Sequence, residues 1–328
     1  MTKVAVLDDW QGFAADAADW SALTAKAEVK FFRDAFPSED ALVAALADFD
    51  VVLAMRERSR LMKPVIDRLG KLRLLCFTGA RNASVDTAAC TARGVTVCNT
   101  VSSRTSHATA ELTLALMLAA QRHLPAGDAE TRAGRFQRNV PPGIEMIGRT
   151  LGVIGLGHIG ARVASYGRAL GMELLAWSQN LTDERAREVG VARVAKEELL
   201  ARADVVTLHL VLSDRSRGII GAADLAKMKQ GALLVNTSRG PLVDTTALVA
   251  ALRAGKIRAA IDVYDQEPLP SGHPLLTAPN TVLSPHLGYV TQDGMTEFYK
   301  LLIEDVLAWL AGKPVRVVNA EGLAARTA

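Results

Sequence analysis

Three glycines in one short run, and three charged or titratable side chains that follow β-branched runs, carry the chemistry this sequence is equipped for. In GVIGLGHIG (152–160), Gly155, Gly157 and Gly160 form G-x-G-x-x-G. The run TLGVIG (150–155) reads as a strand and the residues after the loop as a helix. In that frame Gly155 permits a tight turn, Gly157 lets a pyrophosphate approach the backbone, and Gly160 lets the helix pack closely on the strand. The helix N-terminus adds N–H groups and partial positive charge. His158, as a spacer, and Ile159 complete the cofactor-binding loop. The next strand of such a unit usually ends, about 20 residues on, in an acid that binds the adenosine ribose. Here ELLAWS (173–178) ends in Ser178 followed by Gln179. A carboxylate would repel the 2′-phosphate of NADP, and Ser178 removes that repulsion. Arg185 and Arg187 read as the solvated face of the following helix. Both NAD and NADP are therefore expected to bind. Further on, Arg239 lies in VNTSRGPLVD (235–244), Asp262 and Glu267 in IDVYDQEPLP (261–270), and His286 in LSPHLGYVT (283–291). An arginine, an acid and a histidine at or just past strand ends stand where open α/β sheets bind ligands.

The elements that must position these residues are short and regularly spaced. Apolar runs at 4–7, 29–32, 51–55, 72–77 and 95–98 read as strands of a first block. Runs at 150–155, 173–178, 205–210, 232–238, 259–263 and 281–286 read as strands of a second. Continuous apolar strands separated by helical patterns suit parallel sheets covered on both faces. A long helix is predicted over Thr105–His123, ended by Pro125, with residues 126–149 a connector. The amphipathic pattern Asp293–Leu310 suits a helix that returns the chain to the first block. The length of 328 residues suggests about two domains. Hydrophobic residues at 49% argue against disorder. A net charge of +3 without a charge block gives nucleic acid no footprint. MTKVAVL followed by Asp8 and Asp9 does not read as a signal peptide, and no apolar run is long enough to span a membrane. Cys76, Cys90 and Cys98 read as reduced core thiols, which points to the cytoplasm. The histidines lack ligand spacing, so no metal site is expected.

The glycine loop, TAELTLALMLAA, NTSRG, DVYDQEP and SPHLG together resemble the D-isomer-specific 2-hydroxyacid dehydrogenases over nearly the whole chain. That resemblance implies an α/β fold of two Rossmann-like, doubly wound parallel-sheet domains. It implies a discontinuous substrate domain, 1–100 plus 288–328, with an NAD(P)-binding domain, 101–287, inserted. It also implies a homodimer, with the helix near Thr105–His123 at the contact, and Arg239, Glu267 and His286 as catalytic residues. Asp262 matches a position near the nicotinamide carboxamide; its other reading is a satisfied, buried turn acid. Thr109, His209 and Thr237 match positions that line the cofactor, and Gly288 belongs to the same set.

Reduction of a 2-oxo acid needs a hydride donor, a proton donor at the carbonyl oxygen and a cation for the carboxylate. Nicotinamide supplies the first. His286 is suited to the second, because imidazole titrates near neutrality, and Glu267 beside it would favour the charged ring. Arg239 offers a planar fork for the third. The sequence departs from the resemblance in the loop FTGARNASVD (77–86). The family usually has two glycines flanking one residue there; here Gly79 is followed by Ala80 and Arg81. Arg81 could meet a second acidic group on the substrate or be a plain surface arginine, and Arg56 and Arg58 are open to the same two readings. The expected reaction is that of a glyoxylate or hydroxypyruvate reductase. Phosphoglycerate-type oxidation is the alternative within enzymes, although a chain ending at Ala328 is not expected to carry a regulatory domain. A nucleotide-sensing, corepressor-like module on the same fold is the alternative outside them.

Overall fold

β-Branched and aliphatic residues that cannot be solvated on either side become strands with no wet face. In the computed structural model, which describes residues 1–327, these are β1 (Thr2–Val6), β2 (Ala27–Phe31), β3 (Val51–Ala54), β4 (Leu74–Thr78), β5 (Thr96–Thr100), β6 (Thr150–Ile154), β7 (Glu173–Trp177), β8 (Ala192–Arg193), β9 (Val205–Leu208), β10 (Ala232–Asn236), β11 (Ile257–Ile261) and β12 (Thr281–Leu283). Every residue of β3, β4, β6, β9 and β10 is buried. That is the pattern of parallel strands covered by helices on both faces.

The chain divides into two compact units, one formed by Met1–Arg104 and the residues from Thr291 onward, the other by Thr105–Val290. The divisions fall a few residues later than the expected ones. Helix Thr105–Gln121 opens the second unit, and Thr291, whose Oγ1 accepts from the Gly294 N–H, caps a helix that belongs to the first.

In the first unit a parallel sheet runs in the order β2-β1-β3-β4-β5. The order reverses between β1 and β3, which places a switch point at the loops after those two strands. The returning helix, Gln292–Leu310, packs against β4 and β5 and buries Met295, Phe298, Tyr299, Leu302, Ile303 and Val306. Cys76 and Cys98 face each other across β4 and β5; they and Cys90 are buried and free. Burial pushes the Cys90 thiol up to about 12.

In the second unit the parallel order is β12-β11-β10-β9-β6-β7-β8. The switch point lies between β6 and β9, beside the glycine loop. Alternate residues of β6 feed opposite layers: Ile154 packs with Leu199, Leu208 and Leu225, and Leu151 and Val153 with Met117, Val163 and Leu174. β8, two exposed residues at the edge, has no apolar signature and was not expected from the sequence. The expected connector also begins differently. Pro125 sits in the first turn of a new helix, Leu124–Arg132, entered through His123 in a left-handed conformation. A proline there loses no hydrogen bond, so it starts this helix as well as following the previous one. None of the helices is long and apolar enough to cross a membrane among the described residues.

One buried acid sets a pH dependence on the first unit. Asp305 is fully buried; its Oδ1 accepts from Arg316 Nε at 2.8 Å, and Oδ2 has no partner among the described residues. Burial raises its pKa to about 7 against the opposing pull of Arg316. The folded protein thus holds a proton that the unfolded chain releases near its ordinary value, so stability falls as pH rises from about 4 through about 7. Urea unfolding of wild type and Asp305→Asn across that window should show the wild type losing stability relative to the variant as pH rises. Parallel profiles would contradict the assignment.

Candidate active site

The glycine loop is shaped by what surrounds it. Gly155 has φ +98°, its N–H donates to Trp177 O at 2.9 Å, and a Cβ there would lie 2.5 Å from the His209 carbonyl oxygen. A Cβ on Gly160 would lie 2.0 Å from the Gly155 carbonyl oxygen, so the helix can approach the strand only with glycine there. Gly157 differs: it precedes helix His158–Ala169 with extended backbone, and a Cβ would meet nothing within 4 Å. The space outside Gly157 and the helix amides fits the pyrophosphate of a dinucleotide. His158 is exposed beside it and Ile159 half-buried. Ser178, half-buried, and Gln179, exposed, follow β7 directly. Arg185 keeps the expected solvent exposure, with 42% of its side chain accessible, and in addition reaches the glycine loop. Its Nε donates to Leu156 O in the glycine loop at 3.4 Å, and Nη1 pairs with Glu188 at 3.1 Å.

His209 follows β9 at the switch point. Burial pushes its pKa down to about 3, so it is neutral; Nε2 lies 2.9 Å from Thr207 Oγ1. Thr109 Oγ1 lies 2.9 Å from both Thr105 O and Gly288 O. Thr113 Oγ1 lies 2.8 Å from both Thr109 O and Thr237 Oγ1. The threonines expected to line the cofactor are thus joined by Thr113, a helix residue that a purely apolar periodicity passes over.

Arg239 follows β10 at the start of a short turn, Gly240–Leu242. Asn236 builds this loop: its Nδ2 donates to Arg239 O at 2.9 Å, and its Oδ1 accepts from Ser238 N at 3.1 Å. A Cβ on Gly240 would lie 2.0 Å from the Tyr264 carbonyl carbon, so the Arg239 loop sits directly on the segment that carries Glu267. Glu267 Oε1 accepts from Tyr264 N at 2.8 Å, and its Oε2 lies 2.5 Å from His286 Nδ1. The residues paired by sequence reasoning are therefore in contact. With Nδ1 held, Nε2 is the ring nitrogen left for proton transfer.

His286 itself is in a left-handed conformation, φ +55°, which a non-glycine residue adopts only when its surroundings impose it. Asp262 supplies that constraint. Its backbone oxygen accepts from His286 N, Oδ1 accepts from Ser284 Oγ and Leu287 N, and Oδ2 accepts from Gly288 N. Burial raises its pKa, opposed by these hydrogen bonds and by His286. Asp262, assigned to the cofactor from the sequence, has both carboxylate oxygens bonded to the histidine loop. Tyr289, buried, sets its ring edge-to-face with His286 at 5.4 Å, a neighbour that sequence reasoning missed.

In the first unit, Gly79 follows β4 with φ +111°, and its N–H donates to Thr100 O. The Arg56 guanidinium lies where a Gly79 Cβ would be. Ala80 and Arg81 are exposed. Arg58 is engaged locally, donating to Asp8 O at 2.6 Å and lying over the Trp10 ring at 4.5 Å.

Residues 114–288 match the NAD binding domain of the D-isomer specific 2-hydroxyacid dehydrogenases. The chain is 36% identical over 280 residues to a D-3-phosphoglycerate dehydrogenase of Archaeoglobus fulgidus, covering 85% of this chain and 53% of that protein. It is 38% identical over 266 residues to a glyoxylate reductase of Aeropyrum pernix, covering 78% of this chain and 79% of that one. It spans about half the length of the phosphoglycerate dehydrogenases of Archaeoglobus fulgidus and Methanocaldococcus jannaschii. The solved structure of a Ralstonia solanacearum oxidoreductase is similar with a TM-score of 0.92 and 39% identity, over 98% of each chain.

The two loop glycines predict different outcomes. Gly160→Ala should lower thermal stability, by about 1–3 kcal/mol, and weaken dinucleotide binding measured by calorimetry. Gly157→Ala should leave the melting temperature unchanged and still weaken binding at least tenfold. Unchanged binding in Gly157→Ala would mean that the anion does not approach this backbone.

Proposed function

Because the chain belongs to the D-isomer specific 2-hydroxyacid dehydrogenase family, we propose that it interconverts a small 2-oxo acid and its D-2-hydroxy acid with a nicotinamide cofactor. The observation that carries this reading is the 2.5 Å contact between Glu267 and His286 Nδ1. In the second unit, Gly155, Gly157, His158, Ile159 and Gly160 would hold the dinucleotide, with Ser178 and Gln179 toward its adenosine ribose. The nicotinamide, when bound, supplies or accepts the hydride. Arg239 presents its fork to the carboxylate and the neighbouring carbonyl oxygen. Glu267 keeps His286 oriented through Nδ1; Nε2 gives its proton to the oxygen on which negative charge develops. In the reverse direction neutral His286 takes the hydroxyl proton. Asp262 acts through the loop it holds. In the first unit, the substrate unit on this reading, Gly79 and Ala80 would offer backbone to a substrate carboxylate and Arg81 a cation to a second acidic group.

Glyoxylate and hydroxypyruvate are the substrates this reading favours. Phosphoglycerate-type oxidation is the second reading, supported by the relatives of that name and by the cationic Arg56 lying against Gly79. Ser178 in place of a ribose-binding acid supports acceptance of both NADH and NADPH. A homodimer is part of the proposal. Helix Leu124–Arg132 buries no residue, and Leu124, Phe136 and Ile147 are 57%, 70% and 71% exposed. Exposed large apolar side chains of this kind suit contact with a second copy. Three buried free thiols suit a cytoplasmic location.

A panel of 2-oxo acids with NADH and NADPH, followed at the nicotinamide absorbance, tests the reaction and ranks the substrates. Turnover with glyoxylate or hydroxypyruvate is expected, and His286→Ala should lose about 10²–10⁴-fold in kcat while still binding cofactor. Near-normal turnover in that variant would remove His286 from its role. Tight cofactor binding with no turnover across the panel would favour a nucleotide sensor. Sedimentation should give two chains per particle, and Phe136→Glu with Ile147→Glu should shift it to one.

A further inference from the structure

Resting on that reading, we infer that Arg185 is the residue that recognises the 2′-phosphate of NADPH. Three placements in the second unit bring this cation to the nucleotide. Gly155 N donates to Trp177 O, which joins the glycine loop to the last residue of β7. Ser178, the next residue, offers no carboxylate where a ribose-binding acid would stand. Helix Asp183–Val189 then folds back, with Thr182 Oγ1 accepting from Arg185 N at 3.2 Å. Its first turn brings the Arg185 guanidinium to the Leu156 carbonyl, 3.4 Å from Nε. A cation is thereby tethered to the glycine loop beside the carboxyl end of β7, where the adenosine ribose of a dinucleotide lies.

The surrounding charges leave this cation available. On the same helix Asp183 pairs with Arg193 and Glu184 with Arg187, so neither acid is unmatched. Glu188 pairs with Nη1 of Arg185, and the two side chains are 64% and 42% exposed. Exposed pairs of this kind are weak and screened by salt. A phosphate monoester carries about −1.5 to −2 charges at pH 7 and accepts a guanidinium in a bidentate fashion. It would therefore displace a single exposed carboxylate. NADH presents a neutral hydroxyl there in place of the phosphate, a weaker partner than a carboxylate, and in its presence Arg185 stays with Glu188.

Calorimetric titration of the full chain with NADPH and with NADH reads this directly, without turnover. Wild type is expected to bind NADPH at least as tightly as NADH. Arg185→Ala should raise the ratio of the NADPH to the NADH dissociation constant at least tenfold, and Ser178→Asp should raise it further. Glu188→Gln should lower the ratio, because the competing carboxylate is gone; this variant also serves if Arg185→Ala does not fold. A ratio that stays within twofold in Arg185→Ala, or equal weakening of both nucleotides, overturns the assignment and leaves Arg185 as a loop brace. So does a wild type that binds NADH and not NADPH, with the proposed reaction intact. Failure to bind either nucleotide would overturn the proposed function itself.

Discussion

A buried carboxylate holds the loop on which His286 sits, and most of the candidate site follows from it. Asp262 spends both side-chain oxygens on Ser284, Leu287 and Gly288, and its backbone oxygen on His286 N. The buried donors, on Ser284 and Gly288, would otherwise be left unsatisfied, at about 1–3 kcal/mol apiece. That sum is what keeps His286 at φ +55°, a conformation with an intrinsic cost of about 1–3 kcal/mol. The acid is placed by ordinary sheet geometry: it is the first residue after β11, and the loop it grips leaves β12, the neighbouring strand. The same parallel arrangement puts Arg239 after β10 and the Glu267 segment after β11, so the charged groups gather along one carboxyl edge.

The two sheets solve the placement of ligand-facing loops in the same way. Each reverses its strand order once, and each carries special backbone at or near that reversal. In the second unit the positive φ of Gly155 and the His209 carbonyl meet at the β6 and β9 ends. In the first, Asp8 and Arg56 both take left-handed conformations just after β1 and β3. Burial raises the Asp8 carboxyl to about 6, against its bond from Ser59 and the charge of Arg58. Diverging helices leave a crevice at such points, and loop backbone there need not serve the sheet.

The helix Thr105–Gln121 shows how an apolar element can also order polar ones. Its buried face carries Thr109 and Thr113 among Ala110, Leu116 and Met117. The two hydroxyls connect Gly288 in the histidine loop to Thr237 in the arginine loop. Buried networks that are fully satisfied in this way rigidify what they join.

Much of this was legible in the residues. The glycine spacing, the continuous apolar strands and the acid-plus-histidine pair are set by short-range sterics and by periodicity, so they can be read without coordinates. The sequence by itself determined the two α/β blocks, the glycine loop after β6, and Arg239, Glu267 and His286 after strand ends. Tertiary structure alone decided what those side chains touch. It turned Arg185 toward Leu156, bound Asp262 to the histidine loop and seated Gly240 on Tyr264. The reason is that parallel crossovers bring together segments that are distant in the chain. A partner reached through such a crossover leaves no local pattern in either segment.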